Sequence, residues 1–266
     1  MGGERDERPD PEQLLKQNFP RDNDNGRGKL KIFFGYAAGV GKTYAMLEAA
    51  RQEMAAGRDV VAGYIEPHDR PETMELLAGM ELLTPMSVKY KGITLKEFDL
   101  DAALMRNPDL VLVDELAHTN AQGCRHRKRY QDVIELLDGG INVYTTVNVQ
   151  HLESLHDIVA SITHVRVNER IPDDIFDDAS QVELVDIAPE ELRQRLEDGK
   201  IYHKDQADKA CVRFFTAENL SALREIALRG TGSTGRWSGN GMRRARTIIR
   251  VSTCWSACPP PPPMQG

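Results

Sequence analysis

The stretch Ile32-Phe33-Phe34-Gly35-Tyr36-Ala37-Ala38-Gly39-Val40-Gly41-Lys42-Thr43 runs from an apolar strand through a glycine-rich turn into the start of a helix. Polyphosphate demands backbone N–H groups turned inward, a conformation that glycine reaches at little cost. A helix N-terminus adds unpaired N–H groups and the positive end of its dipole. In this pattern Lys42 supplies a point charge for the β- and γ-phosphates, and Thr43 a hydroxyl for Mg²⁺. Gly35, Gly39, Val40, Gly41, Lys42 and Thr43 are therefore the candidate nucleotide-binding residues. The strict pattern has glycine where Tyr36 stands; here the glycine comes one place earlier, at Gly35. A tyrosine at the loop mouth is expected to alter how the phosphates or the base approach.

Downstream, Asp109-Leu110-Val111-Leu112-Val113-Asp114-Glu115 is an apolar strand ending in two carboxylates. Asp114 is expected to hold the Mg²⁺ shell opposite Thr43, commonly through water. Glu115 is the candidate catalytic residue, a general base that polarises an attacking water. Apolar strands that end in Asp are common, so this strand says little alone; paired with the glycine-rich turn upstream it points to a Mg·nucleotide site. β-Rich runs at Lys31–Phe34, Val60–Ile65, Leu110–Val113 and Ile141–Val147 alternate with helical stretches, notably Lys42–Ala56 and Arg129–Leu137. That alternation predicts an α/β fold: a P-loop NTPase-like parallel sheet with helices on both faces. Ligands of such sheets sit at the carboxyl ends of the strands, where both motifs lie.

Outward from this core the chain changes character. Residues 1–26 are polar and proline-containing, a mobile arm ahead of a core at 27–168. Pro189–Asp198, Lys204–Phe214 and Ala217–Arg229 predict helices, and little strand signal follows Val185, so 169–229 is expected to form a mainly helical C-terminal extension. Residues 230–266 hold both tryptophans, five consecutive prolines, and neither helical nor strand periodicity. Composition there predicts a disordered tail; a sharper reading is sequence translated out of frame.

Hydrophobic residues make up 40% of the 266, enough for a core. No apolar run approaches the roughly 20 residues that span a bilayer, and the charged N-terminus lacks a signal-peptide core. Cys124, Cys211, Cys254 and Cys258 do not pattern as a disulfide framework. Together these features predict a cytosolic chain without membrane contact of its own. The formal charge is −7, and residues 230–266 contain five arginines with no Lys, Asp or Glu, so the remainder is more acidic still. Such a body argues against general nucleic-acid binding.

Other positions carry weaker signals. His68 and Arg70 follow the second strand and face either ligand or solvent. His118-Thr119-Asn120 is placed to sense a γ-phosphate or to cap a loop. Arg125-His126-Arg127-Lys128-Arg129 is a solvated basic face or a source of an arginine finger. Asn148, after Thr145 and Thr146, is expected to N-cap a helix starting near Gln150. His151 and His156 are poorly spaced for a shared metal. Asp173, Asp174, Asp177 and Asp178 fit an acidic helix start better than a metal site.

Several stretches resemble the N-terminal cytoplasmic domain of the KdpD family of potassium- and osmotic-stress-responsive sensor histidine kinases. They are RPDPEQLL at 8–15, GKLKIFFGYAAGVGKTYAMLEAA at 28–50, VDELAHTNAQGCRHRKRYQDVIELLDGGINVYTTVNVQHLESLHDIV at 113–159, IPDDIFDDASQVELVDIAPEELRQRLEDGKIY at 171–202 and FFTAENLSALREIALR at 214–229. The resemblance implies an ATP-binding regulatory module that uses Gly35, Gly39, Gly41, Lys42, Thr43, Asp114 and Glu115 with ATP and Mg²⁺. It also implies, in the full-length family, an inner-membrane protein whose kinase core autophosphorylates on histidine and phosphorylates a response regulator. The family pattern continues past LREIALR into membrane helices and that core, whereas 230–266 does not, so a truncated or frameshifted reading frame is the expectation. Weak ATPase activity and dimerisation are left open. The competing readings are a free-standing P-loop kinase or NTPase acting on a small molecule, and a structural adaptor.

Overall fold

The computed structural model describes residues 26–66, 71–198, 214–231 and 246–251. Seven strands form one sheet: β1 Leu30–Gly35, β2 Val60–Tyr64, β3 Glu81–Leu82, β6 Leu110–Val113, β7 Asn142–Asn148, β8 Gln181–Asp186 and β9 Arg246–Val251. Their spatial order is β3-β2-β6-β7-β1-β8-β9, and every pairing is parallel. Burial on both faces explains the unbroken apolar runs: Ile32, Phe33 and Phe34 of β1 and all four residues of β6 are buried. Helices flank the sheet, as the alternating pattern predicts, in the α/β arrangement of P-loop-type proteins. A separate antiparallel hairpin pairs β4 Met86–Tyr90 with β5 Ile93–Glu97.

Packing follows the sequence closely near the glycine-rich turn. The helix Lys42–Ala55 presents Ala45, Met46, Leu47, Ala49 and Ala50 to the core and packs on β1 and β7. Small alanines let the helix approach the sheet, and Phe33 meets Tyr144 of β7 edge to face at 5.7 Å. On the other side of the chain order, Phe34 meets Phe176 at 5.0 Å, tying the short helix Asp173–Asp177 to β1.

Two expectations about the C-terminal half need correction. The sheet does not stop at residue 168: β8 pairs with β1 from Lys31↔Gln181 to Phe34↔Leu184, so the expected extension supplies a strand to the core. A lone run of mixed residues, QVELVD, hides a buried strand because its charges are matched, Glu183 pairing with Lys31 at 2.9 Å. The expected lack of strand structure in 230–266 fails at Arg246–Val251, which pairs along the whole of β8. The helices Pro189–Glu197 and Ala217–Thr231 match their expected spans. The expected helix at 204–214 and the arm at 1–26 lie outside the described residues, apart from the terminal Phe214 and Gly26. No helix among the described residues is long and apolar enough to cross a membrane.

Candidate functional site

The site is assembled where β1, β7 and β6 end side by side. β7 lies between the other two, yet the Thr43 hydroxyl donates to Asp114 Oδ2 at 3.0 Å. Residues 71 positions apart thus meet at the sheet edge. Asp114 is buried, and its second oxygen accepts from the Thr146 hydroxyl of β7 and from the Glu115 N–H at 3.1 Å. Thr146 is therefore a site residue whose role the sequence left open; it bridges the two motif strands.

In the turn itself, Gly39 and Gly41 have φ of 86° and 103°, the left-handed region where a side chain is strained. Gly35 serves a different need. A Cβ there would lie 2.6 Å from Val40 Cγ2 and 3.1 Å from Lys42 Cδ, so its bareness lets the lysine fold back across the strand end. Lys42 is buried and its Nζ donates to the Ala37 carbonyl at 3.0 Å. Among the described residues, none accepts a hydrogen bond from the N–H of Ala38, Gly39, Val40 or Gly41. Four unengaged donors beside a buried ammonium form a cradle suited to an anion.

Tyr36 does not stand at the loop mouth. Its ring is fully buried and its hydroxyl donates to the Ile187 carbonyl at 3.2 Å, with burial holding the phenol above its ordinary range. The residue that departs from the strict motif therefore faces the core beside β8 and leaves the approach to the cradle unaltered.

Glu115 follows Asp114 in a left-handed conformation, φ 58°. Its carboxyl is open to solvent but ringed by protein, and that partial desolvation, with repulsion from Asp114 and Glu66, pushes it up to about 7. Behind this edge, Arg129 donates to the Asp114 carbonyl at 3.2 Å and to Glu97 at 3.1 Å, and stacks 4.2 Å from the Tyr64 ring centre. Glu97 is buried, which raises its pKa, but hydrogen bonds from His118 and the Ala121 N–H and the nearby Arg129 charge outweigh that, and the carboxyl lies below its usual range.

This network settles several sequence-predicted positions. His118 turns its Nε2 to Glu97, 3.2 Å away, rather than toward the glycine-rich loop. Asn120 donates to Asp132 at 2.6 Å. Arg125 pairs with Asp101 and Glu135, His126 with Glu135, and Lys128 with the Thr119 hydroxyl. Arg125, His126, Lys128 and Arg129 thus brace the 115–129 segment, while Arg127 is exposed. Asn148 makes no side-chain cap: Val149–His151 and Glu153–Leu155 are 3₁₀ turns, and the α-helix begins only at His156. Asn148 Oδ1, Gln150 Oε1 and Thr145 Oγ1 are buried with no hydrogen-bond partner among the described residues. His151 Nδ1 donates to the Glu169 carbonyl at 2.8 Å, and Asp173 accepts from Ser154, so both serve structure. Among the described residues no group of three or more His, Cys, Asp or Glu is placed to hold a metal. His68, Arg70, Cys211, Cys254 and Cys258 lie outside the described residues.

The family model described as "KdpD: Osmosensitive K+ channel His kinase sensor domain" matches residues 26–234. The sensor protein KdpD of Clostridium acetobutylicum is 60% identical over 225 residues, 85% of this chain and 25% of that protein. The sensor protein KdpD of Escherichia coli K12 is 54% identical over 224 residues, 84% of this chain and 25% of that protein. A putative sensor protein KdpD of Synechocystis is 51% identical over 203 residues, 76% of this chain and 55% of that protein. The chain spans about a quarter of the length of the first two relatives. By these matches the chain belongs to the KdpD family of osmosensitive potassium-channel histidine kinase sensor domains.

Proposed function

We propose that this domain is the ATP-binding regulatory module of a potassium-sensing histidine kinase, gripping Mg·ATP in the turn between Gly35 and Thr43. The observation that carries the reading is the 3.0 Å contact between the Thr43 hydroxyl and Asp114, made beside four unengaged loop N–H groups and a buried lysine. In this reading the N–H groups of Ala38 to Gly41 hold phosphate oxygens. Lys42 leaves the Ala37 carbonyl for the β- and γ-phosphates. Thr43 and Asp114 are the residues that would hold Mg²⁺, whose charge offsets that of the phosphates; one hydroxyl and one carboxylate are ordinary for Mg²⁺, which keeps water and phosphate as its other ligands. Arg129 and Thr146 keep Asp114 in place from behind. Glu115, beside Asp114 at the strand end, is placed to accept a proton from water, so the module binds ATP and hydrolyses it slowly or not at all.

The wider role follows from the family. Occupancy of the module would set the output of a histidine kinase core elsewhere in the full-length protein, and through a response regulator the expression of a potassium transporter. A free-standing small-molecule kinase gains no support from the Arg125–Arg129 run, whose ion pairs are internal.

The test uses the full chain and its Lys42→Ala variant, titrated with Mg·ATP and assayed for phosphate release. Saturable, Mg²⁺-dependent binding that weakens at least about tenfold in the variant, with turnover below about 1 per minute, is the expected result. Equal affinity in both proteins would sink the nucleotide reading, and fast turnover dependent on a small-molecule acceptor would replace the module with an enzyme.

A further inference from the structure

The end of β8 and the segment after it take no part in the nucleotide reading, yet they grip the turn from outside. The Ile187 carbonyl accepts from Tyr36 at 3.2 Å, and Val185 Cγ1 lies 4.0 Å from where a Cβ on Gly41 would stand. Arg195, its side chain 9% exposed, points Nη1 at the Gly39 carbonyl at 3.5 Å and pairs Nη2 with Glu191 one helical turn earlier. One residue beyond Val185, buried Asp186 receives a two-pronged bond from Arg224 of the helix Ala217–Thr231, at 2.7 and 2.6 Å. Asp186, Arg224, Glu190 and Arg195 each lie near enough to Tyr36 to act on its phenol electrostatically.

The peptide plane gives these contacts a consequence for the cradle. A trans peptide carries its C=O and N–H on opposite sides. A guanidinium that draws the Gly39 carbonyl toward the helix Pro189–Glu197 therefore turns the Val40 N–H away from that helix. The 3.5 Å contact lies at the long limit of a hydrogen bond, so it orients the peptide by charge–dipole attraction more than by a tight bond. Glu191 pairs with the Arg195 charge and offsets part of the cost of keeping it nearly buried.

We propose that Arg195 is a positioning residue for the anion cradle, and that through it and the Asp186–Arg224 pair the filling of the cradle is coupled to docking of the helix Ala217–Thr231. The inference rests on the nucleotide reading and adds a route by which occupancy reaches the C-terminal end of the domain. Coupling of this kind is reciprocal: whatever tightens the helix tightens the nucleotide, and the reverse.

The experiment compares the full chain with Arg195→Ala, Arg195→Lys, Arg224→Ala and Lys42→Ala, by Mg·ATP titration and by hydrogen–deuterium exchange. Arg195→Ala is expected to weaken Mg·ATP about tenfold, Arg195→Lys to recover part of that, and Arg224→Ala to weaken it about fivefold. In the parent, Mg·ATP should slow exchange both at Gly39–Lys42 and within 217–231, and the second effect should vanish in Arg224→Ala. If the parent binds and Lys42→Ala does not, while Arg195→Ala binds like the parent or exchange in 217–231 ignores nucleotide, the coupling is wrong and the nucleotide reading stands. If the parent binds no nucleotide, both fall. Should Arg195→Ala fail to fold, the exchange pattern of the parent and the affinity of Arg224→Ala decide by the same criteria.

Discussion

Arg129 has no exposed surface, and its guanidinium is divided between the Asp114 carbonyl, the Glu97 carboxylate and the face of Tyr64. In sequence it looked like one more charge in a basic run; in the fold it holds the Asp114 backbone carbonyl from behind. Replacing it by methionine removes one partner of a buried ion pair and leaves Glu97 dependent on His118 and the Ala121 N–H. Arg129→Met is expected to cost about 3 kcal/mol in urea unfolding and to weaken Mg·ATP as Asp114 loosens; a loss below about 1 kcal/mol would contradict the role assigned to it. Gly39 and Gly41 differ from Arg129 in that their positive φ values fit what the glycine-rich pattern announces. Tyr36 is the contrary case, since the same motif gave no hint that its ring turns inward.

At the scale of elements, the helix Arg129–Asp138 brings a second buried charge to the same region. Asp132 is nearly inaccessible, and burial pushes its carboxyl up to about 6 although Asn120 donates to it at 2.6 Å. The folded protein thus keeps the proton over a range, from about pH 4 to 6, in which the unfolded chain has released it. Where the folded state binds more protons, stability falls as pH rises, so the favourable contribution is full below about pH 4 and gone above about pH 6. Asp132→Asn lacks this loss. On going from pH 4 to 7, the variant should gain on the parent by on the order of 2 kcal/mol in chemical unfolding, and a difference independent of pH would show the assignment to be mistaken. The hairpin β4–β5 matters for a related reason, because its last residue, Glu97, delivers the carboxylate on which Arg129, His118 and Ala121 converge.

Across the whole molecule, the strand order puts β7 between β1 and β6, so Lys42 and Asp114 stand on either side of a strand that contributes Thr146. A ligand held across three strands and a helix start should stabilise the entire sheet. At a hundred times its dissociation constant, a ligand bound only by the folded state adds about 2.7 kcal/mol. For a domain of this size that corresponds to a rise in Tm of roughly 5–10 °C with Mg·ATP. Thermal unfolding with and without the nucleotide, and again after chelation of Mg²⁺, checks it; an unchanged Tm at saturating nucleotide would count against a site spanning the sheet edge.

What the linear chain determined by itself was local in origin. Apolar runs long enough for buried strands, a turn whose glycines need φ values other residues avoid, and a pair of carboxylates closing a strand are all readable from neighbours within a dozen positions. What only the tertiary structure decided depends on partners far away in sequence. QVELVD becomes a strand because Lys31 neutralises Glu183 and β1 offers an open edge. The Arg125–Arg129 run becomes a brace because Asp101, Glu135 and Glu97 reach it from other elements. Tyr36 turns inward because Ile187 lies within hydrogen-bonding reach. Charge and polarity carry no address along the chain; the fold supplies the partner, and the partner decides whether a charged residue faces water, a ligand or the core.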